Sequence, residues 1–359
     1  MKQLLKGNEA VGAAALIAGI DTYFAYPITP QNEISEYMAR EMPLAGKAFL
    51  QAESEVAAIN MVYGAAAAGD RVMTTSSSPG IALMQEGITY CAGAELPCVL
   101  VNMMRGGPGL GSILPAQSDY TQVTRGGGNG DYRVMVLAPS TVQELAEHMV
   151  LAFEKADEYN NPVMVAADGV IAQMMEPVDL GSLKPKPRVK KRWAVDGQYA
   201  NGRERNVITS FRLTGEEMET HNARLLKKYQ AMAKNEARAE VFNLEDAEIV
   251  LTAYGTSFRL CQSVAQSLRE KGIKVGLIRP VTLWPFPKAA YAAIPSSCRF
   301  ILDVEMNYGQ MVPDVMLATN GRFPVYHFGR NGGVVTTEEE LLDEVKRLLE
   351  GKVGNEYGI

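Results

Sequence analysis

Histidine is scarce in this chain: His148, His221 and His327 are the only three in 359 residues, and they stand far apart. That leaves little support for a histidine metal site or a Ser-His-Asp triad. Cysteine is scarce too. The four, Cys91, Cys98, Cys261 and Cys298, form no Cys-x-x-Cys pair, which argues against an iron–sulfur cluster or zinc site in this chain. Such scattered thiols suit a reducing compartment. Long apolar runs are missing. The stretch 11–20 is about half as long as a bilayer span, and residues 1–9 hold no signal-peptide core, so a cytoplasmic protein with no membrane partner is expected. Positive charge is not in excess. The net charge is −6, with 21% charged and 47% hydrophobic residues, as in an ordinary soluble protein, and nucleic acid is not an expected partner. The one basic cluster, at 184–192, is broken by prolines and reads as a solvated linker.

What is present is alternation. Strands are expected over 22–26, 71–75, 98–103, 134–138 and 162–167, with helices over 8–20, 32–42, 80–94 and from Ser140, as cap, to about 160. This order implies an α/β fold with a parallel sheet, whose ligands bind beyond the carboxyl ends of its strands. Tyr26 to Pro30, Ala52 to Glu55, Ser76 to Gly80 and Arg105 to Ser112 fall there. A proline- and lysine-rich stretch follows from Glu176 to about Asn206. Thr214 and Glu217 then form a capping box opening a helix with Met218, Leu225, Leu226, Tyr229 and Met232 at helical spacing, an amphipathic arm. A second alternating segment has strands at 249–253, 275–278, 299–303 and 324–328 and a last helix from Thr337. The division expected is 1–175, 176–245 for linker and arm, and 246–359. The glycine-rich loops at 105–112 and 126–131 match neither a dinucleotide fingerprint nor a P-loop, which counts against a nucleotide-binding oxidoreductase.

Two carboxylates, Glu53 and Glu55, precede a helix of small residues, with Ser54 as its N-cap. Taken alone, both read as acidic residues favoured at a helix start. Their surroundings say more about Glu55. Ala25-Tyr-Pro-Ile-Thr-Pro30, Ser54-Glu-Val-Ala-Ala58, Thr75-Ser-Ser-Ser-Pro-Gly80 and Arg105-Gly-Gly-Pro108 together resemble the alpha-type, thiamine-diphosphate pyrimidine-binding subunit of the 2-oxoacid:ferredoxin oxidoreductases. Tyr254-Gly-Thr256 and Arg279-Pro-Val-Thr-Leu-Trp-Pro-Phe-Pro287 resemble that family's smaller transketolase-C-like α/β domain. With Glu219-Thr-His-Asn222 and Lys227-Lys-Tyr229, the chain looks most like the branched-chain, 2-oxoisovalerate members.

The resemblance implies roles. Glu55 would be the catalytic glutamate that hydrogen-bonds the aminopyrimidine ring; a carboxyl there exchanges a proton with the ring nitrogen and promotes deprotonation of the thiazolium carbon. Tyr26, Pro27, Ile28, Ser77 and Ser78 would line the cofactor pocket, and Thr29 and Arg105 would hold the 2-oxoacid, a guanidinium fork being suited to its carboxylate. Glu53 gains no role. Asn129 stands where many relatives carry histidine, which leaves the polar role of its loop open. The diphosphate–magnesium motif is missing: Asp168-Gly169 lacks the first glycine, and Asn160-Asn161 lies before it instead of after. The expectation is therefore half a site and no metal on this chain. A partner subunit would bring the diphosphate, Mg2+ and an iron–sulfur cluster, and further small subunits would pass electrons to ferredoxin. Coenzyme A would accept the acyl group. Pyruvate, 2-oxoglutarate or an aryl pyruvate as substrate, and a non-catalytic scaffold subunit, are the alternatives.

Overall fold

The computed structural model describes residues 2–197 and 204–352. Part of the expected linker, 198–203, and the end of the second expected domain, 353–359, lie outside the described residues. Seven strands form the larger sheet, in spatial order Thr282–Trp284, Met135–Leu137, Pro162–Asp168, Cys98–Met104, Val72–Ser76, Thr22–Ala25 and Ala48–Gln51. All pairings in it are parallel except that of Thr282–Trp284, which runs antiparallel to Met135–Leu137. The central strands Val72–Ser76, Cys98–Met104 and Pro162–Asp168 are buried along their whole length. That suits a sheet covered by helices on both faces. From Thr22–Ala25 the chain first steps outward to Ala48–Gln51 and then back across to Val72–Ser76. The order reverses there, and in open sheets of this kind the loops after the two flanking strands, here Thr22–Ala25 and Val72–Ser76, frame the ligand crevice.

A five-stranded sheet follows, ordered Val325–Gly329, Phe300–Glu305, Ile249–Thr252, Val275–Pro280 and Ala239–Phe242, the last antiparallel. Four sequence readings change in detail. Lys47 to Leu50 reads as an apolar lead-in, yet Ala48–Gln51 is an edge strand beside Thr22–Ala25. The cap of the Val142–Tyr159 helix is Thr141, not Ser140: Thr141 is extended and its hydroxyl accepts from Glu144 N, while Ser140 N and Oγ donate to the Glu144 carboxylate. The basic cluster is not simply solvated. Lys191 pairs with Asp157 at 2.9 Å, Lys186 with Glu154 at 3.4 Å, and Arg188 forks onto Asp21, pinning the segment to acidic groups of the first sheet's layer. The arm is the helix Gly215–Glu236, with its capping box in place. Leu225, Tyr229 and Met232 are buried as expected, whereas Met218 and Leu226 stay exposed because His221 and Lys228 occupy the docking face. His221 Nε2 meets Gly93 O at 2.8 Å, and Lys228 meets Glu95 at 3.3 Å.

Buried polar side chains join the two sheets. Gln117 donates to Tyr254 O (2.9 Å) and accepts from Ser257 Oγ (3.0 Å) and Met306 N (3.0 Å). Arg279, fully buried, forks onto Glu144 and also reaches Glu240 at 2.9 Å. Among the described residues no helix is long and apolar enough to cross a membrane.

Candidate active site

Four segments converge at the crevice. The first, residues 26–30, contains a cis Thr29–Pro30 bond and is tied by its carbonyls: Tyr26 O accepts from Gln31 Nε2 (3.1 Å), Thr29 O from Arg105 Nη1 (2.9 Å) and Pro30 O from Asn8 Nδ2 (2.6 Å). Below it Gln31, Thr75 and Tyr23 form a buried chain of hydrogen bonds at 2.7 Å each. The loop is thus held from beneath by side chains whose alternative is an unsatisfied polar atom in the core. Tyr26 is exposed, and Pro27, Ile28 and Thr29 are half-buried, so their outer faces are free for a ligand.

Glu55 opens the second segment. Ser54 is the N-cap, its hydroxyl accepting from Ala57 N at 3.1 Å, and Glu55 is the first residue of the Glu55–Ala68 helix. It is buried, while Glu53 is exposed. No described residue gives its carboxylate a hydrogen bond. A buried carboxylate left without donors is costly unless a ligand supplies them. The third segment faces it. Ser76 and Ser77, at the end of Val72–Ser76, carry buried hydroxyls that have no partner among the described residues. A Cβ on Gly80 would stand 2.0 Å from Ser76 Oγ and 2.5 Å from Glu55 Oε1. Only glycine therefore lets the Ser78–Gly93 helix approach this carboxylate so closely.

Arg105 carries the fourth segment. Its guanidinium is buried, with Nη1 on Thr29 O and Nη2 on Leu110 O (3.0 Å), while Nε has no partner. The contacts hold the cation by carbonyls alone, with no carboxylate bonded to it among the described residues. Ser78 lies beside it: its hydroxyl accepts from Arg105 N (3.0 Å) and donates to Asp119 Oδ2 (2.6 Å). Asn102 Nδ2 donates to the same oxygen at 2.9 Å. Burial pushes the Asp119 carboxyl above the usual carboxylate range, against the two donors and the nearby Arg105 charge. Asp119, Asn102 and Gln31 are the residues that sequence reasoning missed. The one signal available was Asn102, a polar residue inside an otherwise apolar buried strand.

The structure thus brings Thr29, Glu55, Ser77, Ser78 and Arg105 to one sheet edge. Asn129 is elsewhere, in the 126–131 loop beside Tyr132 and the arm. Asp168 ends the buried strand Pro162–Asp168. Its carboxylate caps the Gly169–Gln173 helix and accepts from Thr256 N (2.9 Å) and Thr256 Oγ1 (2.6 Å), so its donors are protein groups.

A second acidic cluster lies away from this edge. Asp303 and Glu305 alternate onto one face of Phe300–Glu305, and His327 on the neighbouring strand meets Asp303 at 3.3 Å. Burial pushes Asp303 up to about 7, raises Glu305 well above the carboxylate range and lowers His327. A carboxyl raised in the fold binds a proton that the unfolded chain releases. Its contribution is complete below the unfolded value near 3.8 and is lost as pH rises to about 7. The loss for Asp303 alone is expected to reach about 4 kcal/mol at most. Unfolding midpoints from pH 5 to pH 8 should fall for the wild type and fall less for Asp303→Asn.

Residues 13–241 match the family described as pyruvate flavodoxin/ferredoxin oxidoreductase, thiamine diphosphate-binding, and residues 247–341 match pyruvate:ferredoxin oxidoreductase core domain II. The chain is 49% identical to the ketoisovalerate oxidoreductase subunit VorB of Methanothermobacter thermautotrophicus, over 96% of this chain and 97% of that one. It is 36% identical to the 2-oxoglutarate synthase subunit KorA of Methanocaldococcus jannaschii, over 94% and 98%. Among solved structures it resembles a 2-oxoglutarate:ferredoxin oxidoreductase from Magnetococcus marinus, with TM-score 0.87 and 27% identity, covering 96% of this chain and 65% of that one. With the crevice, the buried glutamate and these matches in one chain, it belongs to the 2-oxoacid:ferredoxin oxidoreductase family, as a subunit carrying the thiamine-diphosphate-binding domain followed by core domain II.

Proposed function

We propose that this chain supplies the aminopyrimidine half of a thiamine-diphosphate site in a cytoplasmic complex that oxidises 2-oxoisovalerate, with coenzyme A, to an acyl-CoA and passes the electrons to ferredoxin. The observation that carries the reading is Glu55: a buried carboxylate to which no described group donates, packed beside the unpartnered Ser76 hydroxyl where Gly80 lets the next helix come close. The residues fit an aromatic ring that brings its own donors. Thiamine diphosphate, when bound, supplies a nucleophilic carbon that adds to the 2-oxo group and accommodates the charge left by decarboxylation. Glu55 holds and exchanges a proton at the pyrimidine nitrogen. The 26–30 loop, stiffened from below by Gln31, would hold the rings with its free face, and Ser77 would stand behind them. Arg105 and Thr29 hold the substrate carboxylate.

The remaining half of the cofactor is assigned to a partner subunit. The candidate motif around Asp168 is spent on a helix cap and Thr256, and the four cysteines are all buried free thiols, Cys91 lying against Cys98. Diphosphate, Mg2+ and the iron–sulfur clusters therefore fall to other subunits. Substrate choice rests on the higher identity to the ketoisovalerate subunit than to the 2-oxoglutarate one. In the complex purified with its native partners, kcat/KM for 2-oxoisovalerate should exceed that for pyruvate, 2-oxoglutarate and phenylpyruvate. A higher value for any of these three would overturn the substrate assignment, and an equal rate without this chain would overturn the catalytic one.

A further inference from the structure

The larger sheet splits at its switch point. Thr22–Ala25 pairs with Ala48–Gln51 along all four residues, and Val72–Ser76 pairs with Cys98–Met104 as far as Ser76. Between Thr22–Ala25 and Val72–Ser76 the ladder holds only two pairs, Thr22 with Val72 and Tyr23 with Met73. Beyond them side chains take over. Ser35 Oγ, Tyr23 OH, Thr75 Oγ1 and Gln31 Oε1 follow one another at 3.0, 2.7 and 2.7 Å, and Gln31 Nε2 continues to Tyr26 O at 3.1 Å. The direction of the chain is fixed from its end. The Gln31 amide oxygen can only accept, so Thr75 gives it its single hydrogen, Tyr23 donates to Thr75 and Ser35 donates to Tyr23. Gln31, Thr75 and Tyr23 are fully buried, so a broken link leaves a polar atom with neither partner nor water.

We infer that Gln31 is a positioning residue that sets the width of the crevice, tying the 26–30 loop to the strand that ends in Ser76. The inference rests on the thiamine-diphosphate reading above and adds to it the group that fixes the distance between the two walls. Gln31 is buried beneath the loop while Tyr26 is exposed, so it acts through its neighbours and not by touching a ligand. One end of its amide holds the Tyr26 carbonyl, just before Pro27, and the other holds Thr75, just before Ser76. The other side chains bonded to this loop come from elsewhere: Arg105 reaches Thr29 O, and Asn8 and Gln173 reach Pro30 O. Among the described residues Gln31 is the one side chain hydrogen-bonded to both the loop and Val72–Ser76. An amide suits the task because it donates at one end, accepts at the other and carries no charge that burial would penalise. The width matters for affinity. A flat ring between two walls loses about a quarter to a half of its dispersion contact with one of them when that wall moves out by about 0.5–1 Å.

The test uses the whole complex with its native partner subunits, stripped of cofactor. Gln31→Met keeps the length of the side chain and removes both bonds. Hydrogen–deuterium exchange of the stripped complex should rise over residues 24–31 and stay level in the Glu55–Ala68 helix. On reloading with thiamine diphosphate and Mg2+, the variant should need about tenfold more thiamine diphosphate for half-maximal activity, as expected for a wall displaced by a fraction of an ångström. Gln31→Glu adds a pH signature. Its protonated carboxyl donates to Tyr26 O and accepts from Thr75, whereas its carboxylate only accepts. Relative to the wild type at the same pH, its cofactor affinity should recover as pH falls and worsen as pH rises, and Gln31→Met should show no such profile. Thr75→Val should add little to Gln31→Met, because the two residues share one bond. A purely structural role would raise exchange across the whole sheet, lower the unfolding midpoint and leave the half-saturating thiamine diphosphate concentration unchanged at every pH, and that result overturns the inference. So does unchanged exchange over residues 24–31 in Gln31→Met. A wild-type complex that binds no thiamine diphosphate overturns the cofactor reading instead, and the exchange measurement still decides whether Gln31 ties the loop to the strand.

Discussion

Glu55→Gln is expected to lower acyl-CoA formation by the reconstituted complex about a thousandfold, within the range that a positioned acid–base group contributes. The amide has the shape of the carboxyl but cannot exchange a proton. Its environment makes the substitution clean. Ser54 still caps the helix through Ala57 N, and no described protein group loses a hydrogen bond, because none reaches the Glu55 carboxylate. The unfolding midpoint should therefore stay level, since no protein hydrogen bond is lost. Cofactor occupancy, read by mass spectrometry of the complex, should fall far less than the rate. The scaffold reading makes the opposite forecast, and near-normal turnover in this variant would favour it. Glu53→Gln is the built-in control. Two residues earlier and exposed, it should change neither rate nor stability measurably.

The same pair of glutamates shows what was legible in the sequence. Ser54 as N-cap, the helix after it and the parallel strands on either side follow from local rules: a hydroxyl before an apolar run, short β-rich segments, and glycine or proline at the breaks. Those rules place Glu55 at the carboxyl edge of a sheet, which is most of what a candidate site needs. What they cannot place is a contact whose partners are far apart in the chain. Asp119 belongs to a loop with no motif, and it matters because Ser78 and Asn102, 41 and 17 residues away, point at it. Thr282–Trp284 extends the first sheet although more than a hundred residues separate it from Met135–Leu137, a distance over which no periodicity reports. Ala48–Gln51 was missed for a different reason. An edge strand alternates one covered face with one open one, and four residues are too few for that pattern to stand out from a polar connection. The neighbouring residues Ser140 and Thr141 are both good caps by type. Backbone geometry chose Thr141, and Ser140 then became one of the donors that hold Glu144 facing Arg279.

Arg105→Ala should lower kcat/KM for 2-oxoisovalerate about a hundredfold, equivalent to about 2.7 kcal/mol, and act mainly through KM. The size follows from the setting. The guanidinium is buried, it touches carbonyls of Thr29 and Leu110, and its Nε is unpartnered. A cation in such a place remains under-compensated until an anion arrives, so its interaction with a carboxylate is stronger than that of a surface pair. Two further measurements separate binding from loop support. Arg105→Lys keeps the charge and loses the fork, so it should recover only part of the loss, because one ammonium cannot serve Thr29 O, Leu110 O and a bidentate ligand together. Added guanidinium ion should restore part of the Arg105→Ala rate, since truncation leaves a space shaped by the same two carbonyls. If the substitution merely loosened the 105–112 loop, the added ion would do nothing, and the loss would appear in kcat as much as in KM.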